Sequence, residues 1–147
     1  MLWFWLFVAP ALALALASLL GERRRAAWLT EQLAETGDYA PPATVIVPVK
    51  GADEGLRENL CSLAALDYPD YQLIVAARSA ADIPPGVLPP AMKVVLARGE
   101  NDPHTSEKIQ NLAAAVAAAR PQSEILAFAD SDGEVRPGWL RALAKPL

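Results

Sequence analysis

The stretch Ile125-Leu126-Ala127-Phe128-Ala129-Asp130-Ser131-Asp132 constrains the fold more than any other part of the chain. Five apolar residues run straight into two carboxylates separated by one serine. A short unbroken apolar run predicts a strand buried on both faces of a parallel sheet. Open α/β sheets bind their ligands in the crevice beyond the carboxyl ends of the strands, which is where these acids stand. Residues two apart in an extended chain point the same way, so Asp130 and Asp132 can face one site. Two hard oxygen donors at that spacing suit Mg²⁺ or Mn²⁺ carrying a phosphorylated ligand. The competing reading is an exposed turn whose aspartates cap the next helix.

The rest of the sequence predicts the sheet such a strand needs. Thr44 to Val49 is a β-branched run, and Pro48, which cannot donate to a ladder, marks its end and the start of a ligand-facing loop. A helix follows through about Ala65, with Leu56, Leu60, Leu63 and Leu66 inward. Asp53 suits either that helix's amino-terminal cap or a nucleotide contact, and we take the cap. Lys50 is a surface charge or a phosphate partner, and the sequence leaves both open. Gln72–Ala76 and Lys93–Ala97 read as two further strands. An alanine-rich helix then runs from near Thr105 to Arg120. Lys108 and Asn111, three apart, share a face at its ligand end. His104 stands just before it, and a lone loop histidine is read as solvated. Pro137 starts a final helix with Trp139, Leu140 and Leu143 inward. Strands alternating with helices over residues 43–147 make an α/β domain with a mostly parallel sheet.

Ahead of it, residues 1–20 contain only Pro10 and Ser18 outside the apolar set. As a helix they would span about 30 Å, the depth of a bilayer's hydrocarbon core. Trp3 and Trp5 near one end suit a membrane interface, and Arg23-Arg24-Arg25 follows the run while no basic residue precedes it. The expectation is one transmembrane helix over 1–20, with everything after Arg25 cytoplasmic. Ala13-Leu14-Ala15 resembles a signal-peptide cleavage site, but a signal peptide carries its charge before the apolar core. Residues 21–42 read as a juxtamembrane helix, with Trp28, Leu29 and Leu33 on one side, and a linker ending at Pro41-Pro42.

A net charge of −4 gives no electrostatic case for binding nucleic acid. One cysteine, Cys61, excludes a disulfide within the chain and fits a reducing compartment; with no base partner evident it reads as a small buried hydrophobe.

The order of these features resembles the front half of a GT-A-fold (Rossmann-like) glycosyltransferase of the large family-2 type. Val47-Pro48-Val49-Lys50-Gly51-Ala52-Asp53, Glu107-Lys108-Ile109-Gln110-Asn111-Leu112, the Asp130-x-Asp132 pair and Pro137-x-Trp139-Leu140 carry the likeness, over about Thr44 to Leu143. They are most similar to the ceramide-glucosyltransferase-like branch, including its hopanoid-associated enzymes. The resemblance implies a nucleotide-sugar donor, UDP-linked, with Pro48, Lys50, Lys108, Asn111 and Asp130 at the substrate. It implies a divalent metal, Mg²⁺ or Mn²⁺, on Asp130 and Asp132. It also implies inverting transfer to a lipid acceptor, sphingolipid or hopanoid-like, at a membrane. An aspartate of the second-strand loop normally meets the nucleotide; Arg78 and Ser79 stand there, and Asp82 is the acid nearby. The family's later catalytic aspartate and Gln/Arg-x-x-Arg-Trp motif have no counterpart before Leu147, so an incomplete domain, a non-catalytic donor-binding chain or one part of a split enzyme is the alternative. A haloacid-dehalogenase-type phosphatase is a rival, since Asp130-Ser131-Asp132-Gly133 matches the start of its first motif, but Glu134 stands where that motif wants Thr or Val.

Overall fold

The computed structural model describes residues 2–34, 39–97 and 103–145. They fall into two compact units, divided at about residue 38.

The first unit is one helix, α1 (Leu2–Ala34). The expected apolar helix and the start of the juxtamembrane helix are one element: α1 continues through Gly21 and the arginines to Ala34. Ala, Leu, Glu and Arg all favour helix, and a single interior glycine costs only about 1 kcal/mol. Pro10 lies inside it. Among the described residues, no helix is long and apolar enough to cross a membrane. Met1, part of the expected span, lies outside the described residues, as do the side chains of Leu2, Trp3, Phe4 and Leu6. Leu33 of the expected juxtamembrane face is likewise undescribed in its side chain, and residues 35–38 of the linker are outside altogether.

The second unit is built on four parallel strands: β1 (Ala43–Pro48), β2 (Tyr71–Ala77), β3 (Lys93–Leu96) and β4 (Ile125–Phe128), in the order β3-β2-β1-β4. Ala43 pairs with Tyr71 on one side and with Ile125 on the other. The α/β expectation with parallel pairing therefore holds. The chain leaves β1 towards β2 and β3, then returns to the opposite side of β1 as β4. Because parallel crossovers are right-handed, that reversal sends the connecting helices to opposite faces. On one face α2 (Leu56–Ala64) and α4 (Trp139–Ala144) place Leu56, Leu60, Leu63, Leu140 and Ala144 against Val45, Val47, Val75 and Ala127. On the other, α3 (Glu107–Ala117) lays Leu112 and Ala115 on Ile46, Ile74 and Ala76. Alanines along α3 let it lie close to the sheet.

Several local expectations are corrected. β4 is an edge strand: Ile125 and Ala127 are buried, but Leu126 and Phe128 are 40% and 52% exposed. They point to the side covered by α3, and α3 lies over β1, β2 and β3. An apolar run alone cannot say whether both faces find a cover. Cys61 is exposed, not buried, because α2 turns its Leu56-Leu60-Leu63 stripe inward instead. Leu143 is exposed too, while Leu140 takes the core.

Tyr68 ties the sheet's entry to its core: it is buried and its hydroxyl donates to the Pro41 carbonyl at 2.7 Å. Burial pushes its pKa above the ordinary tyrosine value, partly opposed by the Arg141 charge. A raised acid pKa means the native state keeps a proton that the unfolded chain gives up first. The resulting stability is intact below the unfolded tyrosine pKa of about 10 and is lost as pH rises through the native value. Tyr68→Phe is expected to cost about 1 kcal/mol at pH 7 and to flatten the alkaline fall. Urea unfolding of both proteins at pH 7 and pH 11 checks it, and an equally steep fall in the variant counts against the assignment.

Candidate functional site

β1 is the strand on whose two sides the chain turns in opposite directions, and a crevice opens beyond such a switch point. Here the loop after β1 and the loop after β4 form its walls, and the first turn of α3 closes it. The cavity measures about 400 Å³ and is lined by Pro48, Val49, Lys50, Asp53, Glu107, Lys108, Asn111, Asp130, Ser131 and Asp132. That is within the usual range for a small-molecule site, about 300–1,000 Å³.

Each wall has a backbone reason for its shape. After Pro48, Val49 N–H still donates to the Ala76 carbonyl at 2.8 Å, so the loop leaves in line with the strand. Gly51 then takes φ +80°, where a side chain is disfavoured, and its N–H donates to the Asp82 carbonyl at 2.8 Å. Across the cleft, Ala129 N–H donates to the Ile46 carbonyl at 3.0 Å, which carries the β4 direction straight into Asp130. Asn59, a buried polar residue of α2, donates through Nδ2 to the Ser131 carbonyl at 3.0 Å and holds the turn between the two aspartates. Val135 N–H donates to Ser62 Oγ at 3.1 Å, so α2 supports this loop at a second point.

The charged groups are arranged in cross-cleft pairs. Lys50 Nζ lies 3.4 Å from Glu107 Oε1. Lys108 Nζ lies 2.5 Å from Asp130 Oδ1, with the two side chains 58% and 67% exposed. Hydrogen bonding and charge from Asp130, with a smaller pull from Asp132, raise the Lys108 pKa above the ordinary lysine value, so it stays an ammonium ion. Ser131 Oγ donates to Asp53 Oδ2 at 2.6 Å. On the cleft floor Asn111 is only 3% exposed, and its Oδ1 has no hydrogen-bond partner. A buried acceptor left open costs about 1–3 kcal/mol, and Asn111 is also one of the residues lining the cavity.

The structure thus brings Pro48, Lys50, Lys108, Asn111, Asp130 and Asp132 together. Asp82 it does not: its carboxylate accepts from Ser79 N–H at 2.8 Å and Ser79 Oγ at 3.0 Å, closing a capping box on the 3₁₀ turn Ala80–Asp82. Arg78 is also turned away, donating to the Ala97 carbonyl at 2.9 Å. Asp53 is not the cap of α2. That cap is Gly55, in the left-handed region at φ 73° with no side-chain bond, and the Asp53 carboxylate faces the cleft. His104 is exposed and is not among the lining residues. Sequence reasoning gave no weight to Glu107 or Ser131 as lining groups. Glu107 sits beside Lys108 in the first turn of α3, where an acid is favoured by the helix dipole and so signals nothing more.

Among the described residues no cluster of three or more His, Cys, Asp or Glu side chains is placed to hold a metal ion. A pair of carboxylates without nitrogen or sulfur donors fits only a hard cation that completes its shell with water and ligand phosphate oxygens.

No curated protein and no solved structure matches the chain. The model of glycosyl transferase family 21 matches it over residues 3–147, nearly its whole length. That match sets the phosphatase rival aside and stands with the likeness to ceramide-glucosyltransferase-like enzymes, which use a nucleotide-sugar donor and an acceptor. The chain belongs to glycosyl transferase family 21.

Proposed function

We propose that this chain binds the diphosphate of a UDP-linked sugar in the β1/β4 cleft, as the donor site of an inverting transfer to a lipid acceptor of sphingolipid or hopanoid type. The observation that carries the reading is the convergence of Lys50, Lys108, Asn111, Asp130 and Asp132 in one cleft at the switch point of the sheet. Asp130 and Asp132 would hold Mg²⁺ or Mn²⁺; when bound, such an ion neutralises the charge that grows on a departing diphosphate. Lys50 and Lys108 present ammonium groups to phosphate oxygens. Pro48 supplies an apolar surface for the nucleoside, and Asn111 Oδ1 accepts a hydrogen bond from it. Asn59 keeps the aspartate loop in shape from behind.

The lipid acceptor and a place at the cytoplasmic face of a membrane are supported by α1. Its Phe7, Leu12, Leu14, Leu16 and Leu19 are all exposed. Arg23, Arg24 and Arg25 follow, and basic residues next to an apolar segment favour anionic headgroups.

Thermal unfolding of the full chain with UDP, with and without Mn²⁺, tests the donor reading. Ligand at a hundred times its Kd stabilises by about 2.7 kcal/mol, a readily measured shift. The shift is expected with Mn²⁺ and lost with EDTA. A shift indifferent to EDTA, or none at all, overturns the reading. Transfer of labelled sugar to ceramide in vesicles then separates a working transferase from a chain that only binds donor.

A further inference from the structure

The cleft contains one arrangement that the donor reading does not by itself explain. Lys108 belongs to the phosphate-facing wall, yet its ammonium group sits on Asp130, one of the two carboxylates assigned to the cation. Asp132, in the same cavity, makes no hydrogen bond or ion pair of its own among the described residues, and adds its charge to the pull on Lys108. Lysine is a compact positive charge on a flexible four-carbon stem, able to swing between partners without moving the helix that carries it. One turn further along α3, Asn111, buried and with an unpartnered Oδ1, lines the same cavity.

We propose that Lys108 is a resident stand-in for the metal: with the cleft empty, its ammonium group occupies the oxygen of Asp130 that a divalent cation takes when donor is bound. Two cations cannot share one exposed carboxylate without repulsion. Metal arriving alone must therefore displace Lys108 into water. A diphosphate arriving with the metal offers Lys108 new oxygens, and both positive groups are then satisfied. Metal and nucleotide bind as a pair, each raising the affinity for the other by the same factor, as linkage requires. The inference rests on the assignment of the metal to Asp130 and Asp132.

Calorimetric titration of the full chain with Mn²⁺ alone, with UDP alone, and with UDP at saturating Mn²⁺ tests it. In the wild type, UDP is expected to tighten Mn²⁺ binding by at least roughly tenfold. Lys108→Met removes an exposed ion pair, whose partner stays in water, so folding is not at risk; an unchanged thermal midpoint verifies this. In that variant Mn²⁺ alone should bind about three- to tenfold tighter, the scale of one exposed pair plus a removed like charge. UDP at saturating Mn²⁺ should bind about tenfold weaker, because a phosphate partner is gone. Opposite signs for the two ligands are the signature, since a merely structural lysine would lower both affinities. Lys108→Arg should restore the wild-type pattern, and Lys93→Met, away from the cleft, should leave it alone. A wild type that takes up Mn²⁺ while Lys108→Met binds it no tighter overturns the stand-in alone. A wild type that takes up no Mn²⁺, even with UDP, overturns the metal assignment and the stand-in with it.

Discussion

Asp130→Ala is expected to weaken UDP binding in the presence of Mn²⁺ by on the order of a hundredfold, while the thermal midpoint barely moves. Loss of a group that merely supports a metal ligand costs 10–100-fold in metal affinity, and loss of the ligand itself should reach the top of that range. Stability is spared because Asp130 is 67% exposed and its partner Lys108 is exposed as well, so the pair contributes no more than about 1 kcal/mol. Asp132→Ala should behave alike, and the double variant should lose little more than either, since a cation left with one protein carboxylate is already poorly held. Calorimetry gives the affinities and a thermal melt the control. A variant that binds UDP with Mn²⁺ as tightly as the wild type would remove the two acids from the site.

Asn111→Leu separates stability from binding in the opposite way. The leucine has the same branching at Cγ and carries no polar atom, so it removes the buried, unsatisfied Oδ1. Substituting an apolar group of similar shape for an unpaired polar one is neutral or stabilising, by up to about 1–3 kcal/mol. Binding should fall by roughly tenfold to a hundredfold, the worth of a hydrogen bond lost in a buried site. A rise in midpoint together with a loss of UDP affinity is the expected pair of results. If the variant is instead destabilised and binds normally, Asn111 belongs to the fold and not to the ligand.

How far the sequence disclosed this depended on which signals stand alone. The β-branched run before Pro48 and the apolar run before Asp130 placed β1 and β4 nearly to the residue. Asp130 and Asp132 do line one cleft, but across a turn at Ser131 and Asp132 and not along the extended chain that their spacing assumed. Lys108 and Asn111 were legible from helical spacing, because three residues make nearly one turn. Other features required the third dimension. Nothing in Ile125–Phe128 says that α3 leaves one of its faces open. Asp53 is a good cap by residue type, yet Gly55 in the left-handed region shifts the helix start and frees the carboxylate for Ser131. Asp82 stood near the right loop, but a serine three residues before it captured its oxygen. Asn59, 72 residues from Ser131 along the chain, was invisible without the packing of α2 against that loop.

The open border of the sheet has a consequence for the cleft itself. β4 is the last strand on its side, and the face that carries Leu126 and Phe128 leads, through a small hollow of about 150 Å³ also lined by Pro48, Leu112 and Lys108, to Asp130. The seam along which this sheet can be extended is therefore also the stem that carries the acids. Whatever shelters Phe128 from water becomes a neighbour of Asp130 and Lys108.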